Sequence, residues 1–210
     1  MPWSLPHRRG DGGRHVHPKD LATNRILRQL SATELTSVQP WLTPLDLRIN
    51  HVLYAPGQPI ERIYFPLSGM ISLLAVMQTG EAIETGIVGA DGLAGGDAAI
   101  NGHHYGQLTV QLDGVALMMP KAKFLEAYFA HPRLRNLVDR YQGILLMQAR
   151  QNAACHALHS VRSRFCRWLL QSQDMIDGTH STSPKNFFPI CSACEETLYR
   201  SRLMPCRKQG

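Results

Sequence analysis

The sequence predicts an α+β chain: N-terminal short helices, an antiparallel β-barrel of jelly-roll type, a long dimerisation helix and a further helix behind it. Three observations predict it. Between residues 45 and 120, short β-branched or aromatic runs alternate with turn signals about every ten residues. From Lys121 the apolar spacing becomes helical, pauses at His131-Pro132, and resumes without a break to about residue 159. The length, 210 residues, suits one compact domain with a small second module.

Each element follows in order. Residues 1–18 mix Pro2, Pro6 and Pro18 with Gly10, Gly12 and Gly13, carry no periodic apolar pattern, and are expected to be disordered. Leu21, Ile26, Leu27 and Leu30 recur at helical spacing, and Ser31 with Glu34 forms a capping box for a second short helix. The strand region holds Val52-Leu53-Tyr54, Ile63-Tyr64-Phe65 and Ile71-Ser72-Leu73-Leu74. Its turns fall at Pro56-Gly57, Ser68-Gly69, Thr79-Gly80, Asp91-Gly92, Asn101-Gly102 and Asp113-Gly114. These elements make up a barrel domain over 19–130.

Residues 131–159 are expected to form the dimerisation helix. Leu137, Tyr141, Ile144, Gln148, Gln151, Cys155 and Leu158 alternate in steps of four and three, a heptad seam suited to a homodimer, with Gln148 and Gln151 fixing its register. Packing of this face on its own barrel is the alternative. Val161, Phe165, Trp168 and Leu169 then mark a second helix from Ser160 to Leu170, with Arg162, Arg164 and Arg167 on its other faces.

Composition narrows the class. Apolar residues are 44% and charged residues 18% of the chain, a globular composition. No run approaches the roughly 20 apolar residues of a membrane span, and no apolar core follows Arg8, Arg9 and Arg14 to make a signal peptide. The five cysteines are an odd number confined to the second half, unlike a secreted disulfide framework, so reduced thiols and a cytoplasmic location are expected. The net charge of +6 can draw a protein to nucleic acid, although residues 179–210 contribute +3 of it.

The stretch from Val52 to Gly95 carries Leu53-Tyr54-x-Pro56-Gly57, Ile63-Tyr64-Phe65-Pro66-x-Ser68-Gly69-x-Ile71 and Gly89-x-Asp91-Gly92. In this order the motifs resemble the cyclic-nucleotide-binding-like domain of Crp/Fnr-type transcription regulators. Asn152-Ala153-Ala154-Cys155-His156 and Arg164-x-Cys166-Arg167-Trp168-Leu169-Leu170 resemble the end of that family's dimer helix and the start of its winged helix-turn-helix, here residues 160–178. The resemblance covers about residues 25–178 and implies a non-enzymatic, dimeric, effector-responsive regulator that binds DNA. It marks Gly89, Asp91, Gly92, Leu93 and Gly95 as effector-pocket candidates; for Gly89 and Gly92, plain turn formation is the alternative. Nucleotide-binding members add an arginine that forks onto the cyclic phosphate. No Arg or Lys occurs from Gly69 to Pro120 here, so a cyclic nucleotide is not the expected effector. Iron–sulfur sensing needs cysteines near the N-terminus, and none precedes Cys155. His103 and His104 are expected in a solvated loop and do not make the metal cluster that a jelly-roll enzyme would need. No cofactor or metal is expected, and the effector is an unidentified small molecule.

Where the family carries its DNA reader, residues 179–191 lack helical periodicity and contain Pro184 and Pro189, so no recognition helix can be drawn and no DNA-contact residue can be assigned. Residues 179–210 admit three readings. Cys191, Cys194 and Cys206 supply three zinc ligands where a tetrahedral site wants four. The tail can be natively disordered. It can also be translated out of frame. From Ser183, the last base of each codon joined to the first two of the next permits Thr-Lys-Glu-Phe-Leu-Ser-His-Met-Leu-Gly-Val-Arg-Arg-Asn-Ser-Val-Ser. That string resembles the family's helix-turn-helix, with a Thr-x-x-Glu helix start and Leu-Gly at the turn. A slip near Gly178 and Thr179 is the reading the residues favour. A stand-alone sensory module working through protein partners is the functional alternative.

Overall fold

The computed structural model describes residues 18–99 and 102–177. Of the segments expected to be disordered or aberrant, 1–18 and 179–210, all but Pro18 lie outside the described residues, and Pro18 opens the first helix.

The helical periodicity of residues 20–30 is real, but one helix does not carry it. The chain forms α1 (Pro18–Thr23) and α2 (Arg25–Arg28), broken at Asn24. Asn24 takes extended angles and its Oδ1 accepts from the N–H groups of Ile26 and Leu27, at 3.1 and 3.2 Å. Its Nδ2 donates to the carbonyls of Pro66 and Gly92, at 3.0 and 2.8 Å. Two buried carbonyls in the β-domain therefore dictate the break, since a continuous helix would leave them unpaired. In α3 (Ala32–Val38) the Ser31–Glu34 capping box forms as expected.

Seven antiparallel strands follow among the described residues: β1 (Thr43–Leu47), β2 (Val52–Tyr54), β3 (Arg62–Pro66), β4 (Met70–Val76), β5 (Ala82–Val88), β6 (Gln107–Leu112) and β7 (Gly114–Pro120). They make two sheets, ordered β1-β7-β3 and β2-β6-β4-β5, a jelly-roll-like arrangement. Inward side chains of both sheets, including Ile63, Phe65, Ile71, Leu108, Val110 and Leu117, fill one core with Phe124 and Leu27. Four of the turn signals hold glycines at positive φ: Gly57, Gly69, Gly80 and Gly102. The Tyr54 hydroxyl explains the first family motif, because it accepts from the N–H groups of Glu61 and Arg62 and donates to the Arg62 carbonyl, holding the start of β3.

β5 is an edge strand, and α5 lies against it. Helix α4 (Lys121–Ala130) ends at His131, and α5 (Pro132–Leu158) runs unbroken for 27 residues. Gln148 Oε1 accepts from the Ile87 N–H at 2.9 Å, and one turn later Asn152 Nδ2 donates to the Thr85 carbonyl at 3.0 Å. Two side chains four residues apart thus complete the backbone pairing that an edge strand lacks. The polar residue inside the heptad seam has a use within its own chain.

The seam itself divides. Tyr141 and Cys155 are buried, while Leu137 and Gln148 are half-buried toward the chain's own core and β5. Ile144, Gln151 and Leu158 are exposed. A 3.6-residue helix cannot give all seven positions to one neighbour: the barrel takes Leu137, Tyr141 and Gln148, while Cys155 lies 3.4 Å from Arg167. The exposed members join Met147 and Ala154 in an outward stripe of the same spacing: Ile144, Met147, Gln151, Ala154 and Leu158.

After His159 and Ser160, α6 (Val161–Asp177) extends beyond the Leu170 limit expected from sequence. Ser160 Oγ accepts from the Ser163 N–H at 3.3 Å and caps its first turn.

Candidate effector site

The candidate pocket residues sit on one tight turn between β5 and the following loop. Gly92 N–H donates to the Gly89 carbonyl at 3.2 Å, and Gly89 N–H donates to Asp91 Oδ1 at 3.2 Å. The turn is pinned from outside by Arg25 N–H on the Ala90 carbonyl at 2.8 Å, by Asn24 on the Gly92 carbonyl, and by the reciprocal pairing of Ala94 with Tyr64. Leu93 is fully buried in the core. Gly95 takes φ +84, and any Cβ there would meet the Arg62 carbonyl at 3.0 Å.

Gly89 and Gly92 do form the turn, but neither has a positive φ. What sets glycine at these positions is close approach, strictly at Gly92 and less so at Gly89. A Cβ on Gly92 would fall inside the Tyr141 ring, and one on Gly96 would strike the Gln142 amide. One on Gly86 would come within 2.5 Å of Gln148 Oε1, and one on Gly89 within 3.3 Å of Met175. Four barrel glycines therefore receive four side chains from α5 and α6. Glycines at 86, 89, 92 and 96, more than the turn needs, were the signal in the sequence; the partners Tyr141, Gln142 and Met175 lie too far along the chain to be paired by pattern.

The electrostatics are those of carboxylates. Burial lifts the Asp91 carboxyl above its ordinary 3.8, although hydrogen bonds and Arg25 pull the other way. Burial likewise raises Glu84, which accepts from Ser72 Oγ at 2.6 Å and from Trp168 Nε1 at 2.8 Å. Tyr141 is held well above the ordinary range of a phenol by burial and by Asp91, and its Oη has no hydrogen-bond partner among the described residues. His104 corrects an expectation: it is 8% exposed rather than solvated, its Nδ1 lies 3.1 Å from Asp97 Oδ2, and its ring is tilted against Tyr54. Its backbone N–H and carbonyl are taken by Gln58 and Gly57, which turns the ring inward. His103 remains exposed. Among the described residues no group of three or more His, Cys, Asp or Glu is placed to hold a metal ion.

Because the folded-state pKa of Asp91 is raised, its protonated form favours folding. That contribution is complete below 3.8 and is lost as pH rises through the raised value. Asp91→Asn is therefore expected to flatten the decline in urea midpoint from pH 4 toward pH 7. Parallel wild-type and variant profiles would contradict the assignment.

Residues 44–131 match the family model described as the cyclic nucleotide-binding domain. The fold of the longer chain is similar to that of Crp/Fnr-type regulators. One such structure is the c-di-GMP responsive global regulator CLP of Xanthomonas campestris, 14% identical with a TM-score of 0.61, the match covering 85% of this chain and 96% of that one. FixK2 of Bradyrhizobium japonicum is 13% identical with a TM-score of 0.55, over 62% and 65% of the two chains. The catabolite activator protein of Thermus thermophilus is 13% identical with a TM-score of 0.52, over 63% of each. No curated protein sequence matches the chain. Among the described residues no helix is long and apolar enough to cross a membrane.

Proposed function

We propose that this chain is a homodimeric regulator of the Crp/Fnr type that responds to a small effector at the 89–95 turn and whose DNA binding is impaired. The observation that carries it is the division of labour along α5. Its inner face holds the barrel through Tyr141, Gln148 and Asn152, and its outer face leaves Ile144, 55% exposed, Met147, 68%, and Leu158, 78%, unpartnered among the described residues in a heptad stripe. Apolar residues at this spacing suit a second copy of the same helix, and a signal at the turn would reach the dimer through Tyr141. The expected effector is uncharged or cationic. Asp91 sits within the turn and accepts from the Gly89 N–H, and the lack of Arg and Lys from 69 to 120 leaves no fork for a cyclic phosphate.

Sedimentation is expected to show a dimer, and Ile144→Asp with Met147→Asp to give a folded monomer, because two desolvated carboxylates would face their copies. A monomer for the wild-type chain at all concentrations would count against the stripe. DNA binding is expected to be weak and independent of sequence, since residues 179–191 contain no readable recognition helix. Sharp sequence-selective gel shifts at physiological salt would overturn that part. A second reading, a sensory module acting through protein partners, is favoured by Val161 and Leu170, exposed on α6 where a reader would otherwise pack.

A further inference from the structure

α6 does not project away from the barrel. It lies back along β5 and the candidate turn, fastened at successive points of one face. Arg167 Nη1 donates to Asn152 Oδ1 at 2.6 Å and lies 3.4 Å from Cys155 Sγ. Trp168 Nε1 donates to Glu84 Oε1, whose other oxygen is held by Ser72. Two turns further on, Met175 packs against Gly89, where any Cβ would come within 3.3 Å. Between them Ser172 is completely buried, and its Oγ has no partner among the described residues.

We propose that α6 is a detachable strap whose docked position closes the candidate effector turn, so that docking of α6 and occupancy of the turn exclude one another. Three features make it detachable. The strap is held by the side chains of Arg167, Trp168 and Met175, without the extended packing that α5 makes on β5, and segments with few buried contacts open at low cost. Its docked state buries the Ser172 hydroxyl unsatisfied, a standing penalty that undocking removes. His159 and Ser160 are the only residues between α5 and α6, and His159 is extended (φ −110, ψ 151), so a change at two residues can swing the helix. Closure is equally specific. Glycine at 89 leaves room for Met175, and a ligand seated on the Gly89 face must displace that side chain. Through the same contact, a ligand would free the helix at which the DNA-binding segment begins. The docking stands on geometry alone; the exclusion of ligand rests on the reading of the 89–95 turn as the effector site.

Hydrogen exchange of the full-length chain tests the strap without any ligand. The wild type should protect amides of residues 164–177. Trp168→Phe, which keeps an aromatic ring and removes the donor, should speed their exchange about tenfold, the equivalent of one lost hydrogen bond to a charged group. Strands β4 and β7 should be unchanged. In the second arm, Gly89→Cys with Met175→Cys places two thiols at a separation suited to a disulfide. Oxidation should cross-link 89 to 175, mapped by peptide analysis, and slow the exchange of α6 below the wild-type rate. Protection of α6 that is absent in the wild type, or identical in the wild type, Trp168→Phe and the oxidised pair, overturns the strap. If the strap behaves as expected but a thermal-shift screen of uncharged and cationic small metabolites stabilises the wild type and Trp168→Phe, whose turn residues are untouched, equally well, the reading of the turn fails and the docking stands.

Discussion

Replacing Asn24 with Ala should destabilise the chain by about 3 kcal/mol, a large loss for one exposed-looking polar residue in a short helical segment. The side chain makes four hydrogen bonds at complete burial: it caps α2 with its oxygen and pairs the Pro66 and Gly92 carbonyls with its nitrogen. Ala abolishes the cap, worth about 1 kcal/mol, and leaves two buried carbonyls without donors, each a further loss of about 1 kcal/mol or more. Asn24→Asp discriminates the two halves. It keeps the cap but sets a carboxylate against two carbonyl oxygens, so it should be no better than Ala and should improve as pH falls and the carboxyl protonates. Urea unfolding at pH 7 and pH 4 reads both variants. If Asp equals the wild type at pH 7, the two carbonyl contacts contribute nothing.

Gly92→Ala should be comparably damaging, again about 3 kcal/mol, the upper part of the range for overpacking. In a chain of this size that corresponds to roughly 6 to 12 °C in Tm. The added methyl falls within the Tyr141 ring, and the ring cannot step aside easily because it is buried between α5 and the turn. The pair should be coupled. In a Tyr141→Ala background, where the ring is gone, Gly92→Ala should cost less than it does alone, with a coupling energy of about 1 kcal/mol or more. Tyr141→Phe serves as the control, because it retains the ring and removes only the unpartnered hydroxyl, so it should not relieve the clash. Additive costs in the Tyr141→Ala cycle would show that Gly92 is glycine for a reason other than this contact.

The strands, the long helix and its boundaries were legible because each depends on local chemistry: turn glycines at positive φ, a proline at the start of α5, a capping box at Ser31 and Glu34. Features set by distant partners were not. Nothing near Asn24 announces that two barrel carbonyls need its amide, so the periodicity of residues 20–30 reads as one helix. His104 looks solvated among glycines and polar residues until Asp97 closes on it. Four members of the heptad seam, Leu137, Tyr141, Gln148 and Cys155, are taken up within the chain itself, a use that spacing alone does not separate from pairing with a second copy. The choice between them is visible in Gln148 and Asn152 once β5 is known to have a free side. The turn at 89–95 was found by its glycines, while the residues that fill it were found only by structure.

The covering of β5 by Gln148 and Asn152 also restricts how α5 can move. An uncovered β5 would present bare N–H and C=O groups to any other chain, and an open, partly apolar edge strand recruits further strands into aggregates. Lifting α5 off the barrel would therefore endanger solubility. Sliding along β5 keeps the helix in place as a guard, with Gln148 and Asn152 meeting neighbouring backbone partners, whereas rotation about the helix axis would turn both amides off the strand. The same two amides that end the sheet set the direction in which the long helix is free to travel.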